Sequence, residues 1–141
     1  MSQLRVCSRY ILIADDDPDD LDMYMEIIGG IPGFTILSFS DGKYLFDHLV
    51  QIPDENLPDL IILDLNMPLW SGHKTVEAIR KTDRLKEIRV VIITTSNYEQ
   101  DKLLCSHLNI PMYTKASSYT DVKELFHYIL AEENQTAAQN F

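Results

Sequence analysis

Residues 10–17 read YILIADDD, a mostly apolar run that ends in three carboxylates. Three later runs end in the same abrupt way: LIIL before Asp64, VVII before Thr94 and MYT before Lys115. If all four runs are parallel strands of one sheet, their carboxyl ends meet at one edge, which is where open α/β sheets bind ligands. We therefore expect carboxylates, a hydroxyl and an ammonium group to converge in one crevice.

Helical patterns lie between the apolar runs, so that strand and helix alternate along the whole chain. The predicted strands cover residues 9–14, 35–39, 59–65, 90–93 and 111–114. Regular alternation with short loops predicts a doubly wound α/β fold, with a parallel sheet and helices on both of its faces. Pro111 begins the last run, and a proline there favours an edge strand.

The domain is predicted to cover residues 10–131. Residues 1–9 form an N-terminal extension and the start of the first strand. Residues 132–141 are polar and small, and we expect a disordered tail there. No second apolar region follows, so no DNA-binding output domain is expected.

The first helix is predicted to begin after Asp17, which is a typical N-cap, with Pro18 in the first turn. Asp19 and Asp20 follow in that same turn, where acidic side chains interact favourably with the helix dipole. The favoured interpretation of these three aspartates is therefore structural, and it leaves Asp15 and Asp16 as the functional candidates.

Composition limits the class of partner. The chain has 141 residues with 12 basic and 22 acidic side chains, a formal net charge of −10. Such a charge disfavours binding to the nucleic acid backbone. No apolar run approaches the ~20 residues of a membrane span, and the N-terminus is too polar for a signal peptide. We expect a cytoplasmic protein with protein partners, bound to neither nucleic acid nor membrane.

Asp15, Asp16 and Asp64 are predicted to share the carboxyl edge of the sheet. Two carboxylates ~4 Å apart repel each other by about 4 kcal/mol at an effective dielectric constant of about 20. A divalent cation would remove that cost, and oxygen ligands with room for water suit Mg²⁺. The residues leave one alternative open, which is a carboxyl group that stays protonated.

Asp64 follows a predicted buried strand, and a carboxylate there can act as a nucleophile that accepts a phosphoryl group. Phosphoryl transfer needs charge neutralisation more than a base, because its transition state is loose. Lys115 offers a positive charge, and Thr94 offers a hydroxyl for a phosphoryl oxygen. Each residue type is ordinary alone, so the prediction depends on their order at the ends of neighbouring strands.

The ordered set resembles the receiver domain of two-component response regulators. The motifs that carry the resemblance are Asp15-Asp16, Asp64-Leu65-Asn66-Met67-Pro68, Thr94 and Lys115, after the first, third, fourth and fifth strands. The resemblance covers about residues 10–130. It implies a flavodoxin-like fold, a five-stranded parallel sheet in the order 2-1-3-4-5 flanked by five helices.

The resemblance also implies a phosphoacceptor and a metal site. Asp64 would take a phosphoryl group from a histidine kinase or a His-phosphotransfer protein. Asp16 and Asp64 would bind Mg²⁺ directly, Asp15 through water, and the backbone carbonyl of Asn66 would complete the protein ligands. The protein would be a stand-alone signalling protein rather than an enzyme, with only self-catalysed phosphorylation and dephosphorylation.

Further roles follow from the same resemblance. Thr94 would be the switch hydroxyl and Lys115 the phosphate-binding cation, while Asn66 and Ser96 would tune the rate at which water removes the phosphoryl group. The signal would pass by a conformational switch or by onward phosphotransfer. A downstream protein would bind the face formed by the fourth helix, fifth strand and fifth helix.

The chain departs from the family pattern near Lys115. The family's lysine is usually followed by a proline with a cis bond, whereas Ala116 follows here. Either this bond is trans and the loop shifts, or a cis bond that costs ~3–4 kcal/mol is retained. The family's switch aromatic usually lies where this chain has Met112. Tyr113 is one place later, on the opposite face unless the strand slips or bulges.

Two alternatives come from other functional classes. An aspartate-nucleophile phosphohydrolase that resembles the haloacid dehalogenase group would need Asp-x-Asp at the nucleophile, but Leu65 and Asn66 follow Asp64. It would also need a cap domain to enclose a substrate. The other alternative is a docking module that shares the fold and never receives phosphate, which would have no reason to keep a metal site.

Overall fold

The computed structural model describes residues 9–139, with side chains described as far as Glu132. Its strands are β1 Arg9–Ala14, β2 Phe34–Phe39, β3 Leu60–Leu63, β4 Arg89–Thr94 and β5 Met112–Thr114. Its α-helices are α1 Pro18–Gly29, α2 Gly42–Gln51, α3 Gly72–Lys81, α4 Glu99–His107 and α5 Tyr119–Gln139. The strands pair in parallel in the order β2-β1-β3-β4-β5. The predicted flavodoxin-like architecture is confirmed, with β5 at an edge.

The central strands are apolar on both faces because helices cover both sides of the sheet. In β1, Leu12 and Ala14 belong to a core with buried residues of α2 and α3. Ile11 and Ile13 belong to a second core with buried residues of α1 and α5. All of β3 is buried. Two packed layers therefore hold the carboxyl ends of the strands in fixed positions.

The helix α1 begins where the sequence predicts. The Asp17 side chain accepts hydrogen bonds from the backbone N–H groups of Asp19 at 2.9 Å and Asp20 at 3.4 Å. Pro18 is the first helical residue, where its missing N–H group has no helical partner to lose. The cap fixes how the chain turns from the end of β1 into the helix.

The third strand is shorter than predicted, since β3 covers Leu60–Leu63 and not residues 59–65. Asp59 lies just before it, and its carboxylate accepts hydrogen bonds from the backbone N–H of Tyr10 at 2.7 Å and from Arg9 Nη1 at 3.0 Å. Asp59 thus serves as a charged partner at the amino end of the sheet.

The C-terminal segment of the described chain is helical. The sequence predicts a disordered tail over residues 132–141, which is wrong for residues 132–139, where α5 continues to Gln139. The domain boundary at residue 131 stays a prediction. Alanine, glutamate and glutamine are good helix formers, so the segment favours a helix although its composition is polar. Residues 1–8 of the expected extension and residues 140–141 lie outside the described chain. Within residues 9–139, no helix combines the length and apolar character of a membrane span.

Candidate functional site

Three of the residues that the sequence analysis selects directly follow strands. Asp15 follows β1, Asp64 follows β3 and Lys115 follows β5. The parallel ladders continue into these positions, since the backbone N–H of Asp64 donates to the Ala14 carbonyl at 3.1 Å and that of Lys115 to the Thr94 carbonyl at 2.8 Å. The topology thus brings the carboxylates and the ammonium group to one edge, beside the start of α1.

Asp15, Asp16 and Asp64 form a compact group of oxygen donors. One carboxylate oxygen from each can be chosen so that all three lie within 4.8 Å of one another. Asp15 and Asp64 are buried, while Asp16 is exposed. Hard divalent cations favour oxygen ligands and retain bound water. The donor chemistry, the spacing and the open side at Asp16 therefore fit a Mg²⁺-type ion.

Lys115 is surrounded by carboxylates. Its Nζ lies 2.8 Å from Asp20 Oδ2, 2.9 Å from Asp15 Oδ2 and 3.1 Å from Asp64 Oδ2. Burial lowers the pKa of Lys115, but the hydrogen bonds to Asp20 and Asp15 and the charges of Asp15 and Asp64 outweigh burial and raise the pKa above its ordinary value. The ammonium group therefore stays charged throughout the physiological range.

The carboxyl group of Asp15 has a raised pKa. Burial raises its pKa to about 6, although the hydrogen bond from the Asp17 backbone and the charge of Lys115 act in the opposite direction. Its Oδ1 accepts from the backbone N–H of Asp17 at 2.9 Å. The sequence leaves open a divalent cation or a protonated carboxyl group. With this pKa, a proton and a cation compete for the same carboxylate.

A polar chain runs from Thr94 to α3. The Thr94 side chain is fully buried, and its Oγ1 accepts from the backbone N–H of Ser96 at 3.2 Å. Ser96 Oγ donates to Asp101 Oδ2 in α4, and Asp101 Oδ1 lies 3.0 Å from His73 Nε2 in α3. The hydrogen bonds from Ser96 and then His73 lower the pKa of Asp101. The loop after β4 is therefore tied to two helices.

The two candidate switch residues lie on opposite faces of β5. The strand pairs with β4 in continuous register, with Ile92 opposite Met112 and Ile93 opposite Tyr113. Met112 packs against the core that contains Ile92, and it lines a cavity of about 370 Å³ between α4 and β5. Tyr113 packs against the other core. Because side chains alternate along a strand, Thr94 shares a face with Met112, and no slip or bulge brings Tyr113 to it.

The peptide bond between Lys115 and Ala116 is trans, because no peptide bond in the described part of the chain is cis. This is the first of the two alternatives that the sequence leaves open. Lys115 nevertheless reaches Asp64. Ala116 therefore does not prevent the contact that a phosphate-binding lysine requires.

The loop after Asp64 is closed against the first turn of α3. The backbone N–H of Leu65 donates to Asp64 Oδ1 at 2.7 Å, and that of Gly72 donates to the Leu65 carbonyl at 2.9 Å. A Cβ atom on Gly72 would lie 2.5 Å from the backbone oxygen of Asp64. Only glycine allows this approach. Asn66 lies exposed at the rim.

Sequence reasoning missed three carboxylates that shape this region. Asp20 contacts Lys115, and Asp101 contacts Ser96. Asp41 is buried and accepts from the backbone N–H groups of Leu69 and Trp70, each at 2.9 Å. All three aspartates lie at the start of a helix, so their N-terminal placement had a sufficient local explanation. Nothing local indicates the second partner that each one contacts.

The chain is similar in sequence to known signalling proteins. A model of the response regulator receiver domain matches residues 11–115. The chain is 31% identical over 119 residues to the probable methanogenesis regulatory protein FilR2 of Methanothrix harundinacea, covering 80% of this chain and 76% of that protein. It is 29% identical over 130 residues to the response regulator Rcp1 of Synechocystis, covering 89% of this chain and 87% of that protein.

Solved structures of response regulators have the same fold as this chain. The phosphorylated cyanobacterial phytochrome response regulator RcpA superimposes with a TM-score of 0.78 at 26% identity, covering 86% of this chain and 91% of that one. The Mn²⁺-bound form of Rcp1 superimposes with a TM-score of 0.74 at 29% identity, covering 83% and 88%. One of these relatives is thus known in a phosphorylated form and the other with a divalent cation.

Proposed function

Since the chain belongs to the family of response regulator receiver domains, we propose that it accepts a phosphoryl group on Asp64 from the phosphohistidine of a histidine kinase or a His-phosphotransfer protein. One observation carries this proposal. The Lys115 ammonium lies 3.1 Å from Asp64 Oδ2, in a crevice where the oxygens of Asp15, Asp16 and Asp64 lie within 4.8 Å of one another. A docking module without phosphoryl chemistry would gain nothing from such crowded charge.

Asp15, Asp16 and Asp64 would hold Mg²⁺, and the backbone carbonyl of Asn66 is the further ligand that family membership suggests. When bound, the ion supplies positive charge that offsets the phosphoryl oxygens. The Mn²⁺-bound structure of the relative Rcp1 supports a divalent cation in this fold. The carboxylates of this chain support it independently, because Asp15, Asp16 and Asp64 outnumber the ammonium group that contacts two of them and repel one another.

The transfer itself requires little more than placement and charge. A carboxylate oxygen of Asp64 forms a bond to phosphorus while the phosphorus–nitrogen bond of the phosphohistidine breaks. The bonding electron pair stays on the imidazole nitrogen, which takes up a proton from solvent. Lys115 offsets the charge of the phosphoryl oxygens. Asp64 is only 6% exposed, which limits the access of water to the resulting anhydride.

The signal would leave through Thr94. Its Oγ1 accepts a hydrogen bond from Ser96, so its own proton remains available to a phosphoryl oxygen. Movement of Thr94 would be transmitted through Ser96 to Asp101 and hence to α4. The α4–β5–α5 face carries exposed apolar side chains, including Leu103 and Tyr128. We propose that a downstream cytoplasmic protein binds there, or that the phosphoryl group is passed onward.

The test is incubation with acetyl phosphate and Mg²⁺, followed by intact-protein mass spectrometry. We expect the wild type to gain the mass of one phosphoryl group, and we expect EDTA to prevent the gain. Asp64→Asn should remain unmodified, because an amide is not a nucleophile for phosphorus. A gain that persists in Asp64→Asn would overturn the assignment of the acceptor. A wild type that never gains mass would overturn the proposed function.

A further inference from the structure

Asp20 is a carboxylate beside the site to which the family likeness assigns no role. We propose that Asp20 restrains Lys115 before phosphorylation and thereby opposes the formation of the phosphorylated state. This inference rests on the proposed function, since it concerns the regulation of the same site. Asp20 is a positioning residue here, because it acts through Lys115 and not on the phosphoryl group.

Lys115 is in contact with both Asp20 and the acceptor Asp64. The contact with Asp20 Oδ2, at 2.8 Å, is the shortest of its three ion pairs, whereas the contact with Asp64 Oδ2 is 3.1 Å. Asp20 comes from α1, while the other two carboxylates directly follow strands. Asp17 caps the helix, and Asp20 in its first turn reaches Lys115 at the end of β5. Lys115 is therefore held between the helix and the acceptor.

Lys115 has a limited number of hydrogen-bond donors. Lys115 Nζ donates hydrogen bonds to Asp20 Oδ2 and Asp64 Oδ2, and Asp15 Oδ2 lies 2.9 Å away. A phosphoryl oxygen on Asp64 competes with these carboxylates for the N–H donors of Lys115. The Asp20 side chain is 25% exposed, against 2% for Asp15. Water can replace Lys115 at Asp20 most readily, so Asp20 is the partner that Lys115 leaves.

The negative charge of Asp20 also matters. Asp20 adds a negative charge next to a site that must accept an anionic phosphoryl group. Substitution of Asp20 by asparagine removes this charge and frees the Lys115 donor. Hydrogen bonds to charged groups are among the stronger ones, but water replaces part of this one because the Asp20 side chain is 25% exposed. We expect a net gain of about 3- to 10-fold in the tendency of Asp64 to be phosphorylated.

The matched control is Asp19. It lies in the same first turn of α1 and is exposed. Asp19→Asn removes the same unit of charge and the same favourable interaction with the helix dipole. It leaves the contact between Lys115 and Asp20 intact. A difference between the two variants therefore reports on that contact and not on net charge.

The first measurement is the acetyl phosphate concentration that phosphorylates half of the protein in Mg²⁺. Asp20→Asn should need about 3- to 10-fold less than the wild type, and Asp19→Asn should match the wild type. Asp20→Glu, which retains a carboxylate, should lie close to the wild type. Equal shifts in Asp20→Asn and Asp19→Asn, or no shift in Asp20→Asn, would overturn the inference.

The second measurement needs no phosphorylation. Lys115 is labelled with a trace of acetic anhydride in metal-free protein, and its labelling is compared with that of exposed Lys81 by mass spectrometry. Asp20→Asn should label faster at Lys115, because the amine loses a charged partner and gains access to solvent, and Asp19→Asn should not. Unchanged labelling in Asp20→Asn would show that Asp20 does not hold Lys115 and would overturn the inference.

The two measurements separate the possible failures. If the wild type is phosphorylated and Asp20→Asn behaves like it, the inference fails while the proposed function stands. If no variant is phosphorylated, the proposed function fails and the regulatory role fails with it, whatever the labelling shows. Urea denaturation of each variant verifies that the comparison is made between folded proteins. If Asp20→Asn does not fold, Asp20→Ser takes its place with the same expected shifts.

Discussion

The two ends of the sheet both hold charged side chains, but in different proportions. At the amino end, Arg9 Nη1 pairs with Asp59 Oδ1 at 3.0 Å, and Asp59 Oδ2 accepts from the backbone N–H of Tyr10 at 2.7 Å. One cation meets one carboxylate there, and both carboxylate oxygens have donors. Such a balanced pair serves the stability of the fold.

At the carboxyl end, one ammonium group faces three carboxylates, and a fourth lies beside them. Lys115 contacts Asp15, Asp20 and Asp64, and Asp16 completes the acidic group. Like charges at this separation cost several kcal/mol. The difference between the ends teaches that unbalanced charge in a buried crevice indicates a site that can bind a cation, while balanced charge indicates a structural role.

Removal of the ammonium group that contacts Asp15 and Asp64 should have the largest effect. Lys115→Gln leaves Asp15 and Asp64 buried without a positive partner. Loss of one partner from a buried ion pair costs about 3–5 kcal/mol, and we expect the free energy of unfolding to fall by about that amount in EDTA. Urea denaturation measures it. Arg9→Gln, at the partly exposed pair, should cost less than half as much, and equal losses would contradict the comparison.

The pH dependence of stability should also distinguish the two ends of the sheet. Burial raises the pKa of Asp15 to about 6, from an ordinary value of 3.8. Between these values the folded state binds more protons than the unfolded state, so stability falls as pH rises through the window. Relative to Asp15→Asn, the metal-free wild type should lose about 1–3 kcal/mol of unfolding free energy between about pH 4 and about pH 7.

Urea denaturation in EDTA at several pH values measures this loss. Addition of Mg²⁺ at pH 7 should restore the stability of the wild type, because an ion that binds only the folded state adds about RT ln(1 + [Mg²⁺]/Kd). A wild type and an Asp15→Asn variant with parallel pH profiles would show that the Asp15 carboxyl group titrates normally.

A steric change at the acceptor loop should have an effect of similar size. The Cβ atom of Gly72→Ala would lie 2.5 Å from the Asp64 backbone oxygen and 3.0 Å from the Leu65 Cα atom. Overpacking of this kind costs about 1–3 kcal/mol, and the displaced Asp64 should be phosphorylated more slowly by acetyl phosphate. Gly29→Ala is the control, because nothing lies within 4 Å of its Cβ position. Similar stability and phosphorylation rates in both variants would contradict this prediction.

How much of the site could be predicted depends on whether a residue is placed by topology or by a side-chain contact. Asp15, Asp64 and Lys115 directly follow strands, so the alternating pattern and the parallel order suffice to bring them together. The opposite faces of Met112 and Tyr113 also follow from strand alternation. These residues are placed by backbone geometry, which sequence patterns report well.

Asp20 and the end of α5 were not predictable in this way. Asp20 has a full local explanation as an acid in the first turn of a helix, and only the tertiary structure shows its reach to Lys115. In α5, two local preferences compete, since residues 132–139 are polar enough for a loop and rich in helix formers. Where a local rule is already satisfied, sequence patterns carry no information about a second partner.

The smallest effect is expected at the amino end. Asp59→Asn removes the ion pair with Arg9, while the amide oxygen can still accept from the backbone N–H of Tyr10. Because both side chains of the pair are partly exposed, the loss should be about 1 kcal/mol or less. Phosphorylation by acetyl phosphate and the stabilisation by Mg²⁺ should both match the wild type. An altered response to Mg²⁺ in Asp59→Asn would show that the two ends are coupled through β1 and β3, and that balanced charge at one end does not mark a purely structural role.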